Sequence, residues 1–271
     1  MTSIKQYLLD ELDYFPSGGT DRPFLTRSDG KLTLQFDYLA IQSQMNAETP
    51  DSLVLAYTRV MMGFLLFNPA PRRIAMIGLG GGSLAKYCHR YLPDAHFTAV
   101  EINPRILSYR NDFHIPEDGP RFSVLCTDGA DYVRNDEKCV DVLLIDGFDG
   151  NRQPPQLCDQ RFYDDCFAKL NAGGVMVVNF WRSDPDYEIY ASRIQRSFDG
   201  NALAIHADHR ANKIVFACKN CAFPTTAADL MSRLIEPDPD HPLGLLATAR
   251  KIASRLRQPE SLRVTRTSGR Y

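Results

Sequence analysis

At 271 residues, with 44% hydrophobic and 24% charged residues, the chain can bury one large α/β core with small appendages. A formal net charge of −2 lacks the basic footprint that nucleic-acid binding leaves, and the longest apolar run, Val60 to Phe67, is too short to span a bilayer. Seven cysteines, an odd number spread along the chain, fit reduced thiols, and the N-terminus shows no basic stretch leading into an apolar one, so no secretory signal and a cytoplasmic location are expected.

Residues 1–52 read as a small β-rich segment: Lys31 to Tyr38 alternates apolar and polar residues, and Asp29-Gly30 suits a hairpin turn before it. Thr49-Pro50-Asp51-Ser52 supplies a helix start, apolar spacing predicts a helix from Leu53 to Leu66, and Asn68-Pro69-Ala70-Pro71 ends it. A β-then-α rhythm follows. Strands are expected at Ile74–Ile77, Phe97–Val100, Phe122–Leu125, Val140–Ile145 and Val175–Val178, the last entered through a turn at Gly173-Gly174. Helices are expected at Ser83–Tyr91, after Pro104, from Ala130, at Asp159–Leu170 and at Asp186–Phe198. Two last strands, Ala202–Ile205 and Ile214–Ala217, are joined by a link too short for a parallel crossover, which predicts an antiparallel pair. The expected architecture is therefore a doubly wound, seven-stranded Rossmann-like α/β domain over residues 53–223, like that of class I S-adenosylmethionine-dependent enzymes. Residues 224–271 form a tail in which Leu243 to Leu256 can be a basic amphipathic helix.

The chemistry-bearing residues gather at the predicted strand ends. Gly78-Leu79-Gly80-Gly81-Gly82-Ser83 links the first core strand to its helix; glycines there permit a tight turn and close backbone approach to a ligand, as dinucleotide or adenosylmethionine binding needs. Glu101, followed by Ile102, ends the second strand, where a ribose diol would lie. Asp128-Gly129 ends the third, with a carboxylate able to accept from an adenine amino group; Asp146 and Asp149 follow the fourth. Strand-end acids also cap helices, and Asp149-Gly150-Asn151 has turn chemistry. Four acids at three successive strand ends behind one glycine loop point instead to a bound nucleoside. Paired carboxylates at its reactive end can hold a protonated amine and take its proton.

Other signals carry less. Cys218-Lys219-Asn220-Cys221 lacks a second ligand pair for zinc and reads as incidental thiols, so no metal is expected. His206 and His209 flank a predicted hairpin turn and read as solvated, and Trp181 reads as packing.

The glycine loop, Val100-Glu101-Ile102-Asn103, Thr127-Asp128-Gly129-Ala130 and Asp146-Gly147-Phe148-Asp149 resemble spermidine synthases, the polyamine aminopropyltransferases. Those enzymes carry Gly-Gly-Gly-Asp-Gly-Gly, Val-Glu-Ile-Asp, Gly-Asp-Gly and Asp-Ser-Ser-Asp. The resemblance extends to Ile41-Gln42, Tyr57 and the stretch from Leu157 to Gly174, covering roughly residues 25–220. It implies aminopropyl transfer from decarboxylated S-adenosylmethionine to an amine such as putrescine, and a homodimer. Under it the glycine loop, Glu101, Ile102, Asp128, Gly129 and Asp146 hold the nucleoside co-substrate. Asp146 is the base, helped by Tyr57; Asp149, Tyr57 and Gln42 contact the substrates. Three features depart from the family pattern: Gly81 replaces its loop aspartate, Thr58 replaces the glutamine after its tyrosine, and its Pro-Thr-Tyr element is missing. A small-molecule methyltransferase using S-adenosylmethionine itself, and a non-catalytic nucleoside- or polyamine-binding module, are the alternatives.

Overall fold

The computed structural model describes residues 23–36, 41–135, 138–148, 152–207, 212–220, 223, 227–232 and 243–257. Strands β1 (Phe24–Ser28), β2 (Lys31–Gln35) and β3 (Ile41–Asn46) form a small antiparallel sheet. Asp29 and Gly30 both take positive φ, 51° and 69°, and Ser28 pairs with Lys31 across them. Such a two-residue turn matches the right-handed twist of its strands, as the Asp-Gly pair foretold.

The chain then forms α1 (Ala56–Met61), tightened at once into a 3-10 turn over Met62–Leu66. The helix starts later than the sequence predicts. Ser52 turns back instead, its amide and hydroxyl donating to the Thr49 carbonyl at 3.0 and 2.7 Å, so the capping hydroxyl is consumed in a local turn. At Gly63 a Cβ would come within 2.9 Å of Thr248 and 3.0 Å of the Phe216 ring, so glycine lets this segment press onto the core.

The main sheet has seven strands: β4 (Arg73–Ile77), β5 (His96–Glu101), β6 (Phe122–Cys126), β7 (Val140–Ile145), β8 (Leu170–Trp181), β9 (Ala202–His206) and β10 (Asn212–Cys218). Their order is β6-β5-β4-β7-β8-β10-β9. The first five are parallel, and β10 runs antiparallel to both β8 and β9, as the short link requires. The chain winds outward from β4 to β6, then returns to place β7 on the other side of β4. That reversal opens a crevice beyond the carboxyl ends of β4, β5 and β7. β8 begins at Leu170 and takes Gly173, at φ +78°, into the strand, so the expected Gly173-Gly174 turn is an irregularity within it.

Alternate residues of the central strands feed two apolar layers. Val142 and Leu144 face α1, α2 (Ser83–Tyr91) and a helix over Leu246–Leu256, while Leu143 and Ile145 face helices over Gly129–Asn135, Gln160–Lys169 and Tyr187–Ser197. Leu143 and Leu144 are 0% exposed, so either one cut to alanine should cost about 2–5 kcal/mol. Leu32, Leu34 and Met45 of the small sheet belong to the first layer, which fastens that sheet beside the crevice. Cys218 is disulfide-bonded, a departure from the incidental-thiol reading. Among the described residues no helix is long and apolar enough to cross a membrane.

Candidate active site

The crevice is shaped by backbone that continues the sheet one step past its strands. The Gly78 amide donates to the Val100 carbonyl and the Asp146 amide to the Ile77 carbonyl, both at 2.8 Å. Gly78 holds φ +86°, and a Cβ there would lie 2.3 Å from the Asp146 carbonyl oxygen. Only glycine fits that crossing. The next amide, Leu79, donates to Glu101 Oε2 at 2.9 Å, and Asn103 donates to Oε1 at 2.9 Å. Buried Glu101 thus ties the loop to the end of β5. A carboxylate offers about four acceptor positions, so each oxygen keeps one for a hydroxyl in the crevice.

Gly78, Leu79, Gly80 and Ser83 form the loop's side of the crevice wall. Gly81 and Gly82 pack elsewhere. A Cβ at Gly81 would meet Ser43 Oγ at 2.7 Å and the Phe113 ring at 2.8 Å, and one at Gly82 would meet Ile115 at 2.6 Å. These two glycines serve packing of the loop against β3 and the segment after β5. The missing loop aspartate has a steric counterpart: Phe113 and Ser43 occupy the space a side chain would need.

Asp128 follows β6 and works partly as a cap. Its Oδ1 accepts from the Ala130 and Asp131 amides at 2.7 and 3.4 Å, and its Oδ2 from Gln156 at 3.1 Å. The carboxylate nonetheless lines the crevice with Gly129, Glu101 and Ile102, of which Ile102 is exposed. Capping and ligand contact are compatible uses of one carboxylate.

Asp146 follows β7 and is held by two side chains. Tyr57, in the first turn of α1, donates its hydroxyl to Oδ2 at 3.0 Å, and Asn179 of β8 donates its amide to Oδ1 at 2.8 Å. Burial pushes the Asp146 pKa above the usual carboxylate range, opposed by these two hydrogen bonds. Burial and the adjacent carboxylate push the Tyr57 phenol well above its ordinary value, which keeps it a donor. This pair, which the sequence could place only through family resemblance, is in direct contact.

The crevice takes Gln42 and Ser43 from β3, Thr58 from α1, and Asn179, Trp181 and Asn212 from the far strands. Three carboxylates line it, with no Lys, Arg or His among the described lining residues. A wall of that sign favours cations and concentrates their field in a low-dielectric cleft. Asp149, the second acid of the predicted pair, and His209 lie outside the described residues; His206 is exposed. Trp181 faces the crevice, a correction to its reading as packing alone. Among the described residues no group of three or more His, Cys, Asp or Glu side chains could hold a metal ion.

A family profile described as "Spermine/spermidine synthase domain" matches residues 54–193. The chain belongs to the spermine/spermidine synthase family. Within that family it is 41% identical over 179 residues to a polyamine aminopropyltransferase of Neisseria meningitidis serogroup A, covering 65% of this chain and 68% of that protein. It is 42% identical over 178 residues to another from Chromobacterium violaceum, again 65% and 68%. The fold is shared with a probable spermidine synthase from Corynebacterium glutamicum, with a TM-score of 0.67 at 18% identity over 78% of this chain and 83% of that one. The fold is thus common to this chain and that structure.

Sequence reading overlooked Asn179, Asn212, Ser43 and Gln156. Asn179 did leave a signal: it is the one polar residue in the apolar run Val175–Trp181. A buried amide in such a run needs partners, and here they are Asp146 and Asn212.

Proposed function

We propose that this chain is an aminopropyltransferase that moves an aminopropyl group from decarboxylated S-adenosylmethionine to an amine such as putrescine, releasing methylthioadenosine. The observation that carries the reading is the Tyr57–Asp146 pair, lining a crevice whose charged groups, among the described residues, are all carboxylates. Both substrates are cationic, one a sulfonium and the other an ammonium, and the wall is complementary to both.

The protein's share of the chemistry follows from this geometry. An ammonium has no free lone pair and cannot attack carbon, so a proton must leave the acceptor nitrogen. Asp146 is placed to receive it, and its raised pKa makes it a stronger base than an exposed carboxylate. The nitrogen lone pair then forms the new C–N bond as the C–S bond breaks, and the sulfur leaves with its electron pair as a neutral thioether. Glu101 and Asp128 supply acceptors for the ribose and adenine, fixing the donor for in-line attack. Gln42 and Asp149 are assigned to substrate contact, and the enzyme is read as a cytoplasmic homodimer.

Methyl transfer from S-adenosylmethionine draws on one observation, the absence of a loop carboxylate at Gly81. Calorimetric titration with each donor, with and without putrescine, separates the two. Tighter binding of the decarboxylated donor is expected; tighter binding of the carboxylated one would overturn the proposal.

A further inference from the structure

Beyond Asp146 the hydrogen bonds continue. Asn179 is 2% exposed, and while its Nδ2 donates to Asp146 Oδ1 at 2.8 Å, its Oδ1 accepts from Asn212 Nδ2 at 3.0 Å. Asn212 begins β10 opposite Trp181, and Asn179 lies two residues before Trp181 on β8. The three side chains therefore share the crevice face. Gln153 donates to the Asn179 backbone carbonyl at 2.8 Å and anchors the strand at this point.

Donor and acceptor capacity fixes the order of this chain. An ionised carboxylate only accepts, so Asn179 must turn its NH₂ toward Asp146. Its oxygen then faces β10, and only a donor there satisfies it. Asn212 supplies that donor. We infer that Asn179 and Asn212 form a relay of two amides that positions the Asp146 carboxylate, holding Oδ1 by the relay and leaving Oδ2 to Tyr57 and the incoming amine.

Asn179 and Asn212 are positioning residues: they orient the base without themselves touching the atoms that react. The relay also bears on the proton. The bond from Asn179 favours the ionised form of Asp146, against the burial that opposes it. The titratable groups facing Asp146 are the Tyr57 hydroxyl in direct contact and, further along the same crevice, Glu101 and Asp128. Removal of the donor from position 212 should release the Asn179 amide. Reversal of its character should invert the amide, since a carboxylate at 212 would draw the NH₂ to itself and leave oxygen facing oxygen at Asp146.

The test compares Asn212→Asp, Asn212→Ala and Asn179→Ala with the wild type. Position 212 is half-buried at the start of a strand, so its variants should fold even if Asn179→Ala does not. The direct readout is the titration of the Asp146 carboxyl carbon by ¹³C NMR, assigned with Asp146→Asn, and it needs no turnover. The expected result is an upward shift for each variant, larger for Asn212→Asp than for Asn212→Ala and about one to two pH units where the bond from Asn179 is lost. Methylthioadenosine affinity should stay within about twofold of wild type, since the hydrogen bonds that hold Glu101 and Asp128 involve neither asparagine. Unshifted titration in both Asn212 variants, or equal shifts in the two, would overturn the relay. The kinetic arm rests on the proposed aminopropyl transfer: the acidic limb of kcat against pH should move with the carboxyl titration. A shifted titration in a protein without transferase activity would refute the function and leave the relay standing. A normal titration in an active enzyme would do the reverse.

Discussion

Asp146 is an acid whose environment disfavours its charge, and that has a stability consequence. Its folded-state pKa lies above the unfolded value, so its stabilising contribution is complete below the unfolded pKa and disappears as pH rises through the folded one. The neutral amide of an Asp146→Asn variant would resemble the protonated acid at every pH. Denaturant unfolding should therefore find the variant at least as stable as wild type at neutral pH, with the gap closing by about pH 4. A variant much less stable at neutral pH would mean that the carboxylate is a structural anchor. The paired carboxylates suggested proton uptake, but only family likeness singled out Asp146 as the proposed base; strand position and charge alone would have allowed a helix cap. Tyr57 was less legible still, because an aromatic on an amphipathic helix reads as core until a partner is seen 3.0 Å from its hydroxyl.

Elements were read well where one physical signal dominated. β4, β5, β7 and β8 are covered on both faces, so their apolar runs announced them, and the short polar link announced the β9–β10 hairpin. β3 was not delimited, because Gln42, Ser43, Gln44 and Asn46 give it a polar surface; Ser43 is nevertheless buried against the glycine loop. The start of α1 was misjudged because Thr49 and Ser52 satisfy each other before they can cap it. At this scale the glycine loop makes a sharp prediction. Gly78→Ala would combine a left-handed backbone with a Cβ 2.3 Å from the Asp146 carbonyl, so the loop must shift. A loss of about 2 kcal/mol or more in stability and weaker nucleoside binding are expected, read by denaturant unfolding and calorimetry. Wild-type behaviour would show that the loop does not need this crossing.

The whole molecule is one core with a small sheet fastened to its side, and Lys86 of α2 marks the join. Its buried ammonium donates to the Phe113 carbonyl at 2.7 Å and lies 3.0 Å from the sulfur of Met45 in β3. Burial pulls its pKa down from 10.5 to about 8. A lowered lysine pKa means that the unfolded chain binds more protons across that interval, so stability rises with pH there. Relative to Lys86→Met, wild type should gain stability between about pH 8 and 10.5, as unfolding midpoints would show; a constant difference would mean that the amine titrates normally.

What the assembled molecule does is tested most directly by following products. Purified protein is incubated with decarboxylated S-adenosylmethionine and putrescine, and methylthioadenosine and the elongated amine are quantified beside an Asp146→Asn control. Wild type should give both products in equal amounts, and the variant a rate at least about 100-fold lower. No product from wild type, or equal rates from both proteins, would contradict the proposed mechanism.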